Sequence, residues 1–483
     1  MAGMRSSVAL AIAGVMLFAA QTAQGATVSI ASDPFTNTTS SHKTIVEPDT
    51  FAYGSTIVAA GQAGRFYDGG ASGIQWARSA DGGGTWTQGT LPGYTTHNGN
   101  GGPYDRVTDP AVAYDARHGV WLISTLPLMP GASSPAVMTS RSTDGGATWG
   151  APVTTAAFQP TTSYDKNWIV CDNHASSPFY GNCYTTWDDN GHGNRLLASR
   201  SSDGGLTWSA PVATPSGSTG LGGQPLVQSN GTVVVPSANA NETQIVSIRS
   251  TNGGASWSNA VLVANVAHHT VAGGLRTGPL PSAEIDGSDK VYVVWQDCRF
   301  RRGCKSNDIV MSTSANGTTW SPVTRVPIDN TSSSVDHFIP GLGVDVSTTG
   351  ASARLGLTYF AYANTRCGNT CGLQVGYIQS NNGGANWGSP LTVAGPFSVT
   401  LAPDTTQGRM VGDYISTSWL NGRAFGPTAV GRAPSAGFAF GLDLELTPGG
   451  IVGSGGAFSS ASDKPVANAA SDHASSQSAI TKR

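Results

Sequence analysis

The chain has 483 residues with 63 glycines and 27 prolines, 11% of its residues are charged, and its formal net charge is −3. Low charge combined with many turn-forming residues is typical of an all-β exported protein and disfavours a helical cytosolic one. The sequence has no basic block or stripe, so it gives no electrostatic reason to expect nucleic acid as a partner.

The N-terminus predicts a secretory signal peptide over residues 1–25. Arg5 supplies a positive charge, Val8 to Ala20 form an apolar run, and Ala23-Gln24-Gly25 has the small residues of a cleavage site. The apolar run is too short to span a membrane, and no later segment is long and apolar enough. We therefore expect a secreted protein, extracellular or periplasmic, that begins near Ala26.

The most regular feature of the chain is a short motif that recurs about every 60 residues. It consists of Ser, any residue, Asp or Asn, Gly, usually a second Gly, one more residue, Thr, Ser or Asn, and Trp. The copies are Ser79–Trp86, Ser142–Trp149, Ser201–Trp208, Ser250–Trp257, Ser314–Trp320 and Ser380–Trp387. The Asp or Asn can accept hydrogen bonds from backbone N–H groups that follow it, and the glycines allow the positive φ of a tight turn. Each copy therefore predicts a β-hairpin turn whose Trp packs between sheets.

Short segments that look like inner strands begin at seven places, one more than the number of motifs. They lie near Glu47, Asp109, Asp165, Gln224, Pro281, His337 and Gly412. This predicts an all-β fold, a β-propeller over residues 26–453 with four-stranded antiparallel blades. Seven blades are favoured and six are the alternative. Beyond Gly450 the chain is rich in Gly, Ser and Ala, so residues 454–483 are predicted to form a disordered tail.

The six cysteines fall into three pairs that are close in sequence, namely Cys171 with Cys183, Cys298 with Cys304, and Cys367 with Cys371. Such pairs suit disulfides that close loops in an oxidising compartment, although spacing alone leaves the connectivity open. No Cys-x2-Cys occurs, and no His lies at zinc-finger spacing beside these pairs, which disfavours a zinc site. We predict neither a metal nor a cofactor.

The six motifs resemble the Asp-box, or BNR, repeat of proteins similar to bacterial sialidases. In that family the box lies in the outer hairpin of each propeller blade, away from the active site. The resemblance implies a Tyr nucleophile activated by a Glu, an Asp as acid and base, and three arginines that bind the substrate carboxylate. By this resemblance the catalytic candidates are Tyr414, Glu284 and Asp68, and the substrate-binding candidates are Arg65, Arg299, Arg366, Asp109 and Asp165.

One position departs from the family pattern. The first inner strand of these sialidases carries an Arg shortly before a Pro, but in this chain the corresponding stretch is Thr44–Pro48, with Glu47 directly before the proline. A carboxylate at that position would repel the carboxylate of an anionic sugar.

The sequence-based expectation is a monomeric, sialidase-like exo-glycosidase that acts on a glycan at the mouth of the propeller. One alternative is a uronate-directed polysaccharide lyase or another propeller glycosidase, with a His such as His337, His174, His192 or His97 and a Tyr as base and acid. The other is a non-catalytic glycan-binding module, because a fold does not determine a function. A sialidase requires at least two arginines that converge beside Tyr414.

Overall fold

The computed structural model describes residues 26–99, 101–157, 162–215, 217–453, 459–460 and 464–465. The predicted signal peptide lies outside the described residues, and so does most of the predicted tail. Within the described part, the chain forms β-strands and four short 3-10 helices (Asn190–His192, Gly350–Ser352, Gly368–Thr370 and Val399–Leu401) but no α-helix. The prediction of an all-β protein is confirmed.

Strand β1 (Val28–Ala31) precedes six four-stranded units that follow one another along the chain. The first unit contains β2 (Ser41–Tyr53), β3 (Thr56–Arg65), β4 (Ala71–Ser79) and β5 (Thr87–Thr90). The second contains β6 (Arg106–Asp115), β7 (Val120–Leu128), β8 (Val137–Ser142) and β9 (Val153–Ala156). The third contains β10 (Tyr164–Cys171), β11 (Cys183–Asp189), β12 (Arg195–Ser201) and β13 (Val212–Ala213).

The next three units repeat this arrangement. The fourth contains β14 (Leu226–Val227), β15 (Val233–Ala238), β16 (Gln244–Ser250) and β17 (Val261–Asn265). The fifth contains β18 (Ser282–Ile285), β19 (Val291–Asp297), β20 (Asp308–Ser314) and β21 (Thr324–Arg325). The sixth contains β22 (Asp336–Val344), β23 (Leu355–Tyr362), β24 (Gly372–Ser380) and β26 (Leu391–Ser398), with the two-residue β25 (Asn386–Trp387) between the last two. Neighbouring strands within every unit are antiparallel, as predicted.

The C-terminal strands are shorter and include the N-terminal strand in their sheet. They are β27 (Asp404–Thr405), β28 (Gly408–Arg409), β29 (Ser418–Leu420), β30 (Arg423–Phe425), β31 (Thr428–Gly431), β32 (Leu442–Leu446) and β33 (Ser459–Ser460). β29 pairs with β30, while β32 pairs with both β31 and β1. β33 lies within the segment predicted to be disordered and pairs with β25.

The first strands of the units lie next to one another in chain order. Contacts link β2 to β6, β6 to β10, β10 to β14, β14 to β18 and β18 to β22. β29 contacts both β22 and β2, so it lies between the sixth unit and the first. The polar residues at the start of these strands are therefore gathered in one region.

Each motif segment lies between the third and the last strand of its unit. In the second unit, Asp144 accepts hydrogen bonds from the backbone N–H groups of Ala147 (3.1 Å) and Thr148 (2.9 Å). Gly146 has a positive φ, and a Cβ there would clash with Val58 of the preceding unit. A side chain at this position would therefore separate the two units.

Apolar side chains fill the space between neighbouring units. Trp149 of the second motif is buried in one cluster with Val58, from the first unit, and Trp121, from the second. The three predicted disulfides are confirmed, and they join Cys171 to Cys183, Cys298 to Cys304, and Cys367 to Cys371. No described helix has the length and apolar character needed to cross a membrane.

Candidate functional site

Four first strands carry a β-bulge at the same place, and three of these bulges present a charged residue, whereas the one in β22 presents Ile339. In the three with a charged residue, the strand register shifts between Val46 and Asp49, between Thr108 and Ala111, and between Asp165 and Trp168. At each of these three bulges the charged residue adopts the left-handed conformation, with φ of 51° at Glu47, 49° at Asp109 and 48° at Lys166. Such a conformation costs about 1–3 kcal/mol for a non-glycine residue and persists only where the surrounding structure enforces it.

The three bulges aim their side chains at one point, where the Lys166 ammonium contacts three carboxylates. Its Nζ lies 3.0 Å from Glu47 Oε1, 3.3 Å from Asp109 Oδ1 and 2.6 Å from Asp413 Oδ2. Arg276 binds the Asp413 carboxylate with two nitrogens, one of them at 2.7 Å from Oδ1. We call these five buried residues the central ion cluster.

Burial and charge shift the pKa values of the cluster in opposite directions. Burial by itself lowers the pKa of Lys166, but the attraction of its carboxylate partners outweighs burial and raises that pKa well above its ordinary value. Burial raises the pKa of Asp109 well above the ordinary range, and Lys166 offsets only part of the effect. Burial acts in the same direction on Asp413, but Arg276 and Lys166 hold its pKa well below normal. The cluster thus contains one carboxyl group with a raised pKa and one with a lowered pKa.

The cluster opens into a small cleft. The cleft has a volume of about 30 Å³, enough for roughly two water molecules. It is lined by Glu47, Arg65, Asp68, Gly69, Gly70, Thr108, Asp109, Leu128, Ala132, Tyr164, Asp165, Lys166, Arg276 and Thr406. A backbone hydrogen bond of 3.0 Å from Thr406 N to Tyr67 O joins two segments of its rim.

Asp68 is the most accessible carboxylate of the cleft. Its side chain is 48% exposed and pairs with Arg106, which also binds Asp105 at 2.8 Å. Arg65 is buried in the wall of the cleft and donates hydrogen bonds to Gln62 (3.1 Å) and to the Gly70 carbonyl (3.0 Å). The cleft therefore combines an accessible carboxylate, Asp68, with a buried carboxyl group of raised pKa, Asp109.

Comparison with known proteins agrees with this architecture. A family profile described as a BNR repeat-like domain matches residues 179–344. Over this segment, about a third of its length, the chain resembles the sialidase-like BNR-repeat superfamily. None of the curated protein sequences matches this protein.

Solved structures of similar fold include enzymes that act on different carbohydrates. An ulvan lyase of a polysaccharide lyase family is 11% identical, with a TM-score of 0.50 over 88% of this chain and 96% of that one. The leech intramolecular trans-sialidase is 13% identical, with a TM-score of 0.48 over 70% of this chain and 67% of that one. The intramolecular trans-sialidase from Ruminococcus gnavus is 15% identical, with a TM-score of 0.46 over 68% and 92%. At these identities, the likeness concerns the fold.

The structure brings together only some of the predicted site residues. Arg65, Asp68, Asp109 and Asp165 all line the cleft. Arg299 and Arg366 are not part of its lining. Arg299 binds Asp297 (2.8 Å) in its own loop, and Arg366 is exposed. The three arginines that the resemblance suggested for a substrate carboxylate therefore do not share the cleft.

Tyr414 and Glu284 do not line the cleft. The Tyr414 hydroxyl donates a hydrogen bond to the Pro110 carbonyl (3.2 Å), and its ring meets Trp168 edge-on at 5.0 Å. Burial raises the pKa of Tyr414 well above its ordinary value, which opposes formation of a phenolate nucleophile. Glu284 interacts with Asp49, and burial raises the pKa of Glu284 to about 8 and that of Asp49 to about 7.

The sequence did not single out Arg276. It lies in the connection between β17 and β18, and its partner Asp413 is 137 residues further along the chain. No local pattern could have paired them. Lys166 was visible as a polar residue at the start of an inner strand, but its position at the centre of the cluster depends on three other units.

A second group of ionisable residues lies away from the cleft. Asp308, Asp329 and His337 are close enough to share a metal ion. However, Arg301 and Arg325 both bind these two carboxylates, and the guanidinium groups already supply the positive charge that a metal would contribute. Burial lowers the pKa of His337 to about 4, so this histidine is neutral. These residues do not fit a metal site.

Proposed function

We propose that the chain is a secreted, monomeric β-propeller of seven blades, in which β29 to β32 and β1 form the last blade. The contacts of β29 with both β22 and β2 support this arrangement. So does the first motif, since a Cβ at Gly83 would clash with Phe425 of β30, just as a Cβ at Gly146 would clash with Val58 of the preceding unit. Pairing of β1 with β32 would join the two ends of the chain in one sheet.

We further propose that the protein is an exo-glycosidase whose reaction takes place at the cleft. The observation that carries this proposal is the convergence of Glu47, Asp109 and Lys166 from three strained bulges. Burying charged groups destabilises a fold relative to apolar packing, and a left-handed backbone adds to that cost. Cleft-lining groups that are retained at such a cost, with strongly shifted pKa values, are typical of functional sites.

Most glycosidases use one carboxyl group as proton donor and a second, ionised one beside the anomeric carbon. Asp109 fits the proton donor, because burial raises its pKa, and its proton passes to the glycosidic oxygen as the bond to the anomeric carbon breaks. Asp68 serves as the carboxylate that balances the developing positive charge. A water molecule then adds to the anomeric carbon and gives a proton back to Asp109, which completes the hydrolysis. Arg65 and Asp165 bind hydroxyl groups of the sugar.

The charges of the cleft favour a neutral sugar over a sialic acid. Lys166 and Arg276 are committed to carboxylates within the cluster. Arg299 and Arg366 lie outside the cleft, which leaves Arg65 as the one predicted arginine beside the substrate. A sialoside therefore lacks the arginine set that its carboxylate needs.

The test is to assay the purified protein on fluorogenic neutral glycosides, a sialoside and a polyuronate, together with Asp109→Asn and a matched control, Asp144→Asn, in an outer turn. Asp109→Asn should lower kcat on a neutral glycoside about 10²–10⁴-fold, and Asp144→Asn should leave it unchanged. Because Asp109 must be protonated, the activity of the wild-type protein should fall as the pH rises through its raised pKa.

Two outcomes would contradict the proposal: full activity of Asp109→Asn, or no turnover of any neutral glycoside by the wild-type protein. Tyr414→Phe, which removes only the hydroxyl, tests the nucleophile predicted by the resemblance. We expect it to retain most activity, because that hydroxyl already donates a hydrogen bond to the Pro110 carbonyl. If Tyr414→Phe loses activity and the wild-type protein hydrolyses the sialoside, the sialidase mechanism is favoured instead.

A further inference from the structure

We propose that Tyr67 is an aromatic platform on which a neutral pyranose ring of the substrate stacks outside the cleft. This inference rests on the proposed function, because it describes how the same site recognises its sugar. It assigns the specificity of the site to the rim of the cleft rather than to its interior.

The size of the cleft provides the first argument. Its volume of about 30 Å³ holds roughly two water molecules, far less than a sugar ring needs. Only one edge of the sugar, with its glycosidic oxygen and neighbouring hydroxyl groups, can reach between the wall residues. The ring itself must then rest on the rim.

The backbone of Tyr67 lies at that rim, where its carbonyl contacts the cleft-lining Thr406, whereas Tyr164, the aromatic residue of the cleft lining, is buried. Tyr67 precedes the cleft-lining Asp68 and, at 60% exposure, is the most exposed aromatic residue of the described chain. Its backbone carbonyl accepts the hydrogen bond of Thr406, and the preceding Phe66 is buried beneath the Arg106 guanidinium at 4.2 Å. The ring is therefore presented to solvent from a segment that is fixed on both sides.

The other exposed aromatic rings have partners within the protein. Tyr53 stacks on Tyr114 with ring centroids 4.3 Å apart, and the Lys43 ammonium lies 5.1 Å from the Phe438 ring. Among the described residues, no ring or cation covers the ring of Tyr67 in this way. An uncovered aromatic face beside a polar cleft is suited to the apolar C–H face of a pyranose.

The polar groups around Tyr67 match the edge of such a ring. Asp68 is 48% exposed and pairs with Arg106, and Asp404, on the rim hairpin that carries Thr406, is 59% exposed and pairs with Arg409. These groups can still exchange hydrogen bonds with sugar hydroxyls, but both arginines are already committed to carboxylates of the protein and are poorly placed to bind a sugar carboxylate. The platform therefore favours neutral rings.

Binding can be measured separately from catalysis if every substitution is made in the Asp109→Asn variant, in which we expect hydrolysis to be slow. Isothermal titration with maltohexaose, cellohexaose and chitohexaose gives the dissociation constants for neutral chains, and sialyllactose serves as the anionic comparator. We expect at least one neutral hexasaccharide to bind, with Tyr67→Ala weakening binding about threefold to tenfold. Tyr67→Phe should retain binding because the ring, not the hydroxyl, makes the contact. The matched control is Tyr53→Ala, which should bind like the background protein.

The outcomes separate this inference from the proposed function. Unchanged binding in Tyr67→Ala, or no binding of any neutral hexasaccharide, overturns the platform even if the wild-type protein hydrolyses glycosides. Weakened binding in Tyr67→Ala with rescue by Tyr67→Phe supports the platform even if no hydrolysis occurs, and in that case the glycosidase proposal fails by itself. In a hydrolytically active protein, Tyr67→Ala should raise KM and leave kcat within about twofold, because stacking binds substrate and transition state alike.

Discussion

Aspartates in the outer turns and in the central ion cluster behave in opposite ways. Asp144, in an outer turn, accepts hydrogen bonds from Thr148 and its neighbours, which lower its pKa to about 2. Asp109, in the cluster, is buried, and burial raises its pKa well above the ordinary range. The same type of side chain therefore has a lowered pKa in the outer turn and a raised pKa in the interior.

The difference lies in where each carboxylate finds its partners. The partners of Asp144 lie within four residues along the chain. The partners of Lys166 lie 57, 119 and 247 residues away, in other units. A turn can therefore satisfy its own carboxylate, whereas the central cluster exists only when several units have assembled. We therefore expect the reaction to take place at the central ion cluster, whose carboxylates find their charged partners in other units, and not at the outer turns.

The largest effect that separates the two regions should come from Lys166→Met. It leaves three buried carboxylates without their common cation, so we expect the free energy of unfolding to fall by about 3–5 kcal/mol. Denaturant unfolding followed by tryptophan fluorescence measures it, and the exposed Lys305→Met provides the control. Equal stabilities of the two variants would mean that the cluster does not depend on its ammonium group.

Coupling between pairs of residues sharpens the comparison further. Glu47→Gln and Asp109→Asn share one ammonium, so their effects on unfolding should deviate from additivity by about 0.5–3 kcal/mol. Asp144→Ala and Asn382→Ala lie in separate turns and should add within about 0.5 kcal/mol. Double-mutant cycles measure both terms. Additive behaviour of the interior pair would contradict its description as one network.

A third effect concerns the pH dependence of stability. The pKa of Glu284 is about 8 in the folded protein, so the folded state holds this proton more tightly than the unfolded chain, in which the pKa is about 4.3. Its stabilising contribution is therefore complete at low pH and is lost as the pH rises toward about 8. Glu284→Gln cannot ionise, so its Tm should fall less than that of the wild type between about pH 5 and 9.

The control for this experiment is Asp404→Asn, which changes an exposed carboxyl and should leave the pH profile as in the wild type. Parallel profiles for Glu284→Gln and the wild type would show that Glu284 is ionised and solvated in the folded protein.

Much of the fold could be predicted because the features that specify it are local. The Asp, Gly and Trp of each motif lie within eight residues, and each disulfide joins cysteines at most 12 residues apart. Glu47 also stood out in the sequence, as a carboxylate where the family has an arginine. The structure pairs Glu47 with the ammonium group of Lys166, which is 119 residues away in the sequence. The sequence pattern around Glu47 therefore could not identify this partner.

The sequence by itself determined the all-β class, the antiparallel units and the resemblance to BNR-repeat proteins, and it grouped the cysteines into the three close pairs that form the disulfides, because turn chemistry and short spacings act over a few residues. Only the tertiary structure decided that Arg299 and Arg366 stay outside the cleft, and that Arg276 and Asp413 join Lys166 in the central ion cluster. Those contacts depend on how separate sheets are oriented around a common centre. A one-dimensional pattern does not contain that orientation, because the residues that meet there belong to different units.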